Sequence, residues 1–446
     1  MTKAWGRFAA TAATTATLLA LSACTAGGGG SSEKKGPAPE AKQTITVWHG
    51  FTGSNEVKAF NVAVARFHAA HPNITVKTVK GQDDEKITKA ISGGDPPDVA
   101  ASFTTDNVGK FCSSGAWQDL QPMMDKDKLS TDTFTSASMQ YTKFDGKRCA
   151  LPLLQDVYGL YINAKLFRAA GYTSPPKTIS ELTDMAKKLT TYNKDGSIKV
   201  LGFDPDMQFY EMAPSRLAPA WGAKWQSSDG KSELAQDPAW ANMLQWQKSL
   251  VDYFGYKKLL KFRQSLGQEF SADNPFEKGR VAIALDGEWR TAFLRDEAPS
   301  LQYETAPFPV ADGRESTYGA GYVTGTIIGI PRGSAHPAAA WTFVKFMTTD
   351  TQTLIDLADQ IRNVPTTHAS LDAATELKND PHFKTFLDIA ANPNTATTPA
   401  SPNGGAYQVT FQEWIYKYQK GKVNGDLHGA LAAVDKKIDN DLSLSR

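Results

Sequence analysis

Cysteine is nearly absent from this sequence: 446 residues hold only Cys24, Cys112 and Cys149. A structural zinc site takes four ligands at close spacing, and three distant cysteines cannot supply them. Charge bias is missing too. Lys plus Arg number 48 against 47 Asp plus Glu, and nucleic-acid binders carry a clear basic excess. Beyond the N-terminus no stretch offers ~18 consecutive apolar residues, so no later segment reads as a membrane span. Catalytic signatures are lacking as well. There is no GxSxG, no HExxH and no complete phosphate loop. Gly230-Lys231-Ser232 has the tail of one, but Trp225 stands where its first glycine belongs. The seven histidines are scattered, and neither a metal nor a cofactor is expected.

What is present begins with an export signal. Lys3 and Arg7 flank the start of an apolar run from Phe8 to Ala23, and no acid precedes Glu33. A basic start, a short apolar middle and small residues at the end read as a signal peptide over residues 1–23. Leu21-Ser22-Ala23-Cys24 looks like a bacterial lipobox, in which Cys24 takes lipid and becomes the mature N-terminus. The alternative is an ordinary signal with a chance cysteine. Residues 24–43 are mostly Gly, Ser, Lys, Pro and Glu, with little to bury, and read as a solvated tether. In an exported chain the remaining pair, Cys112 and Cys149, reads as one disulfide; two unrelated buried thiols are the alternative.

From residue 44 the pattern is strand, helix, strand, helix, strand. Thr44–Trp48 and Ile74–Val79 are β-branched runs. Between them Val57, Phe60, Val64 and Phe67 recur at helical spacing. A second helix stops at Gly93-Gly94, and Asp98–Ala101 is a short strand. That rhythm predicts an open parallel α/β sheet. It returns later, with strands at Gly159–Ile162, Val281–Leu285 and Val323–Ile330, and helices at Ile179–Tyr192, Pro238–Tyr253 and from Pro337. Residues 392–405, NPNTATTPASPNGG, form a polar loop, either a surface excursion or a lid.

Two α/β blocks pack naturally as two lobes with a groove, and ligands gather at the carboxyl ends of strands. Aromatic and polar residues stand there in four clusters. They are Trp48-His49-Gly50, Gln155-Asp156-Val157-Tyr158, Trp221-Gly222-Ala223-Lys224-Trp225 and Asp286-Gly287-Glu288-Trp289-Arg290. Gly321 and Tyr322 add a close backbone approach. An indole covers the C–H face of a sugar ring, and carboxylates and amides hold its hydroxyls. Trp48 also reads as a core residue, and Gln155–Tyr158 also read as a crossover between lobes.

At these clusters the chain resembles the family 1 extracellular solute-binding proteins, the maltose- and multiple-sugar-binding branch that serves ABC importers. The resemblance runs over about residues 44–435. It begins at ITVWHGFTGSNEVKAFNVAVARFHAAHPNITVKTV and includes PLLQDVYGLYINAKLF, FEKGRVAIALDGEW, GTIIGIPRGSAHPAAAWTFVKFM and Asn363-Val364-Pro365. In the second stretch Pro152, Gly159, Leu160, Asn163 and Phe167 match the family signature, while Leu154, Ile162 and Ala169 depart from it. The resemblance implies a two-lobe periplasmic-binding-protein-like fold. One lobe would be 44–152 plus 308–365 and the other 153–307 plus 366–446, with hinge crossings near 150–155, 303–309 and 363–368. It implies a monomeric, lipid-anchored, extracytoplasmic receptor, without catalysis, that closes on a mono- or oligosaccharide and docks on an ABC transporter permease. Trp48 and Tyr322 would grip the sugar from one lobe, and Trp221, Trp225 and Trp289 from the other. The competing readings are a secreted glycoside hydrolase using an Asp/Glu pair, and the same fold serving a polyamine or peptide.

Overall fold

The computed structural model describes residues 41–208, 211–267 and 273–445. Cys24, the signal segment and nearly all of the tether lie outside them. Strand formation starts where β-branched residues start. β1 (Gln43–His49) alternates buried with less buried positions, as one face of a pleated strand must. β2 (Ile74–Val79) and β3 (Val99–Ser102) pair with β1 in parallel. Two helices make the crossovers. α1 (Ser54–Ala70) buries Ala59, Phe60, Ala63 and Phe67, and α2 (Asp84–Gly93) buries Ile87 and Ile91.

The sheet is not parallel throughout, as strand–helix alternation predicts. Strand Val323–Gly329 runs antiparallel to β3. It enters from the other lobe, not over a helix on the same sheet, so no rule forces it parallel. Beside it lies the longest strand, Leu151–Asn163, buried along nearly its whole length. Its sequence, LPLLQDVYGLYIN, is apolar over most of its length, as in a strand largely covered on both faces.

That strand belongs to both lobes. Residues 151–157 pair with Val323–Ile328, and Leu154 and Gln155 also pair with Pro365 and Val364. Residues 158–162 pair with Gly287–Ile283, and Leu160–Asn163 pair with Ala306–Tyr303. The exchange of neighbours falls between Val157 and Tyr158. The second sheet continues from Val281–Gly287 to the parallel strand Ile198–Phe203. The mixed α/β architecture has two lobes and two large apolar cores. One core holds Ile45, Val47, Phe60 and Phe343; the other holds Leu182, Leu201, Trp240 and Phe411. Residues 366–446 were expected together in the second lobe. The helices between His368 and Ala391 put Leu371, Leu377, Phe386 and Ile389 in the core that holds Ile45 and Phe343, which also takes in Tyr161, Phe276 and Leu294 from the stretch expected in the second lobe. Only from Tyr407 onward does the chain join the second.

Cys112 and Cys149 form a disulfide, with Cα atoms 5.6 Å apart. It ties helix Val108–Ser113 to the chain just before the shared strand. The loop 392–405 is packed down. Ser401 and Thr398 are buried, and Thr398 Oγ1 and Gln408 Nε2 both donate to Asp106 Oδ1, at 2.9 and 2.8 Å. Among the described residues no helix is long and apolar enough to cross a membrane.

Candidate functional site

Where the shared strand changes neighbours, a cleft of about 520 Å³ opens. One wall is the turn from Phe51 to Glu56 together with Phe103, at the carboxyl ends of β1 and β3. The other wall is Trp289 and helix Arg290–Glu297, after strand Val281–Gly287. Asp156 and Asn363 also line it. Both walls are therefore strand ends of an open α/β sheet, where backbone dipoles and loops converge.

Each wall presents one large aromatic ring seated on a glycine. A Cβ on Gly50 would come within 2.6 Å of the Phe103 ring, and one on Gly287 within 2.2 Å of the Trp289 ring. Phe103 is 46% exposed, which leaves apolar surface facing the cleft. The turn that carries Trp289 is pinned from below. Buried Arg290 donates from Nε to Asp286 Oδ2 at 2.6 Å and from Nη1 to Glu277 Oε1 at 3.0 Å. Tyr158 meets Trp289 edge-on, with ring centroids 5.4 Å apart. The indole Nε1 of Trp289 is sealed from solvent and has no acceptor among the described residues.

Behind the cleft is a polar bridge. Asn363 Nδ2 donates to Asp156 Oδ1 at 2.8 Å and to Glu288 Oε1 at 2.5 Å. The Val157 N–H donates to Glu288 Oε2 at 2.6 Å. Burial pushes the Asp156 carboxyl up to about 7, against the pull of nearby Arg216. Burial, and then the neighbouring Asp156, push Glu288 well above the usual carboxylate range. Arg216 lies 5.2 Å from the ring centroids of both Tyr158 and Tyr322. The bridge thus joins the shared strand, the segment after helix Thr351–Ile361 and the Trp289 turn.

The residues expected in one cleft are dispersed. Trp289 and Asp156 line it, and Tyr158 stands behind Trp289. Trp48 packs against the core that holds Trp117 and the disulfide. His49 is buried 4.4 Å from the Phe60 ring, and burial, then Lys80, lower its pKa to about 4. Gln155 is buried on the other face of its strand, taking a hydrogen bond from Thr135 and giving one to Pro365 O. Trp221 packs on Trp246, and Trp225 on Trp240, Tyr407 and Phe411. Trp221 ends helix Pro214–Trp221 and Trp225 lies in the turn after it, both in the second core, where aromatic partners distant in sequence cover them. Asp286 is held by Arg290. Gly321 lies under Ile389, which a Cβ would meet at 2.8 Å, and Tyr322 is buried with its hydroxyl 3.4 Å from Thr398.

The sequence does not single out Phe103 or Arg216, and it offers Glu288 and Asn363 only as members of longer stretches. Phe103 was findable, since it directly follows β3 and so stands at a strand's carboxyl end. Glu288 lies inside a cluster already singled out, but its bond to the Val157 N–H depends on the long-range pairing of two strands. Nothing local marks Arg216.

Comparison with known proteins places this geometry in context. Residues 53–353 match the family described as bacterial extracellular solute-binding protein. The maltotriose-binding protein of Pyrococcus abyssi is 24% identical over 88% of this chain and 81% of its own length. A maltooligosaccharide ABC transporter solute-binding lipoprotein of Streptococcus pneumoniae is 25% identical over 74% of this chain and 77% of its own. The structure of CpMnBP1 with mannotriose bound superposes with a TM-score of 0.75 at 27% identity, covering 89% of this chain and 99% of that one.

Proposed function

Since the chain belongs to the bacterial extracellular solute-binding proteins, we propose that it is a carbohydrate receptor that hands its ligand to an ABC transporter permease. The observation that carries this reading is the cleft between the two lobes, with Trp289 on one wall and Phe103 on the other. A sugar ring offers C–H faces to those two rings and hydroxyls to the groups between them. Asp156 and Asn363, which line the cleft between them, supply polar contacts. Similar proteins named for maltotriose, maltooligosaccharide and mannotriose support a short oligosaccharide as ligand.

On this reading the protein performs no chemistry and acts as a monomer. The lobes are residues 44–152 plus 308–365 and residues 153–307 plus 366–446. Ligand favours the closed form because only that form touches it from both sides. Cys24 carries the lipid that holds the protein at the outer face of the membrane. Replacement of Cys24 by alanine is expected to release the protein from the membrane fraction into the medium; undiminished membrane retention refutes the anchor.

A melting-temperature screen across oligosaccharides, polyamines and peptides tests the ligand class, since a ligand that binds the folded form raises the transition. The expected result is a rise with an α- or β-linked oligosaccharide, none with polyamines or peptides, and no reducing sugar released on prolonged incubation. Turnover of the oligosaccharide would favour a hydrolase instead.

A further inference from the structure

Successive residues of a strand point to opposite faces. Asp156 faces the cleft, and Gln155 faces away from it, accepting a hydrogen bond from Thr135 at 3.1 Å. Thr135 borders another cavity, of about 430 Å³, on that far side of the shared strand. Its walls come from residues 131–148, from His368 and from residues 390–393.

Arg148 lines this cavity and is only 6% exposed. Its side chain donates to Gln121 Oε1, to Met139 O and to Thr142 Oγ1. All three acceptors are neutral. The neighbouring carboxylate, Asp119, places Oδ1 on the backbone N–H groups of Gln121 and Arg148, not on the guanidinium. Burial lowers the Arg148 pKa, and Asp119 offsets this only in part. A guanidinium remains charged even so. A buried charge without an ionic partner is expensive, and a bound anion with matching acceptors removes the cost. The rim adds Lys143 and His368, both exposed, against one acid, Asp132.

We propose that this cavity behind the shared strand is a binding site for a small oxyanion, phosphate or carboxylate, held by Arg148 with Lys143 and His368 at its mouth. The site is separate from the cleft, and an occupant would sit against Thr135 and the segment that leads from the first core toward the second.

Titrating the full-length protein with sodium phosphate, and separately with sodium citrate, tests this at an ionic strength fixed with sodium chloride. The expected result is a saturable rise in melting temperature and a saturable calorimetric signal with at least one anion, absent with chloride. Which anion responds identifies the source. Lys143→Glu is expected to weaken that binding at least tenfold while the oligosaccharide response persists, and Arg148→Gln to abolish it. If Arg148→Gln does not fold, Lys143→Glu decides alone. No saturable response to either anion, or an unchanged response in Lys143→Glu, overturns the proposal.

Discussion

Asn363 spends one amide nitrogen on two carboxylates, Asp156 and Glu288, and burial raises the pKa of both against the pull of that hydrogen bond. Asp156 titrates at about 7 in the folded chain and near 4 when unfolded. The folded state therefore binds more protons across that range, and stability falls as pH rises from about 4 to about 7. Asp204, also raised to about 7 by burial, contributes the same trend, so the informative quantity is a difference. Asp156→Asn is expected to lose less melting temperature than the parent between pH 5 and pH 7.5; equal losses contradict the assignment. At this scale the sequence was partly legible. DGEW followed an apolar strand, so Trp289 could be placed at a strand end from the chain alone. Trp221 and Trp225 stood in an equally suggestive turn. Their fate depended on Trp240, Trp246, Tyr407 and Phe411, and no local signal announces those partners.

Elements formed where the apolar period demanded them. α1, β2 and the helix from Pro238 follow their residue patterns closely. The shared strand was expected only over 159–162, yet it spans Leu151–Asn163. Pro152 and the polar pair Gln155-Asp156 interrupt its apolar pattern. Both polar side chains are nonetheless buried or bridged by hydrogen bonds that only the tertiary fold provides. The polar loop 392–405 was open to two readings, and its contact with Asp106 is equally long-range. The disulfide is an element-level staple. It closes a sequence separation of 37 residues, for which chain entropy gives roughly 3–4 kcal/mol. Replacing both Cys112 and Cys149 by serine is expected to lower the unfolding free energy by about that amount in urea titration. A change below about 1 kcal/mol would show that the third core, with Phe111 stacked on Trp117 at 4.4 Å, holds the region without it.

At the scale of the molecule, the working surface exists only because one strand is shared by two sheets. The cleft lies where strand ends of the two lobes face each other. Phe103 and Trp289 stand on opposite walls of the cleft, and neither alone covers both faces of a sugar. Affinity must then depend on both at once. Calorimetric titration of the oligosaccharide that gives the largest thermal shift into the parent, Phe103→Ala and Trp289→Ala tests this most directly. The account predicts saturable binding by the parent and at least a tenfold loss, about 1.4 kcal/mol, in each variant, with far-ultraviolet circular dichroism unchanged. Full affinity in either variant would contradict it.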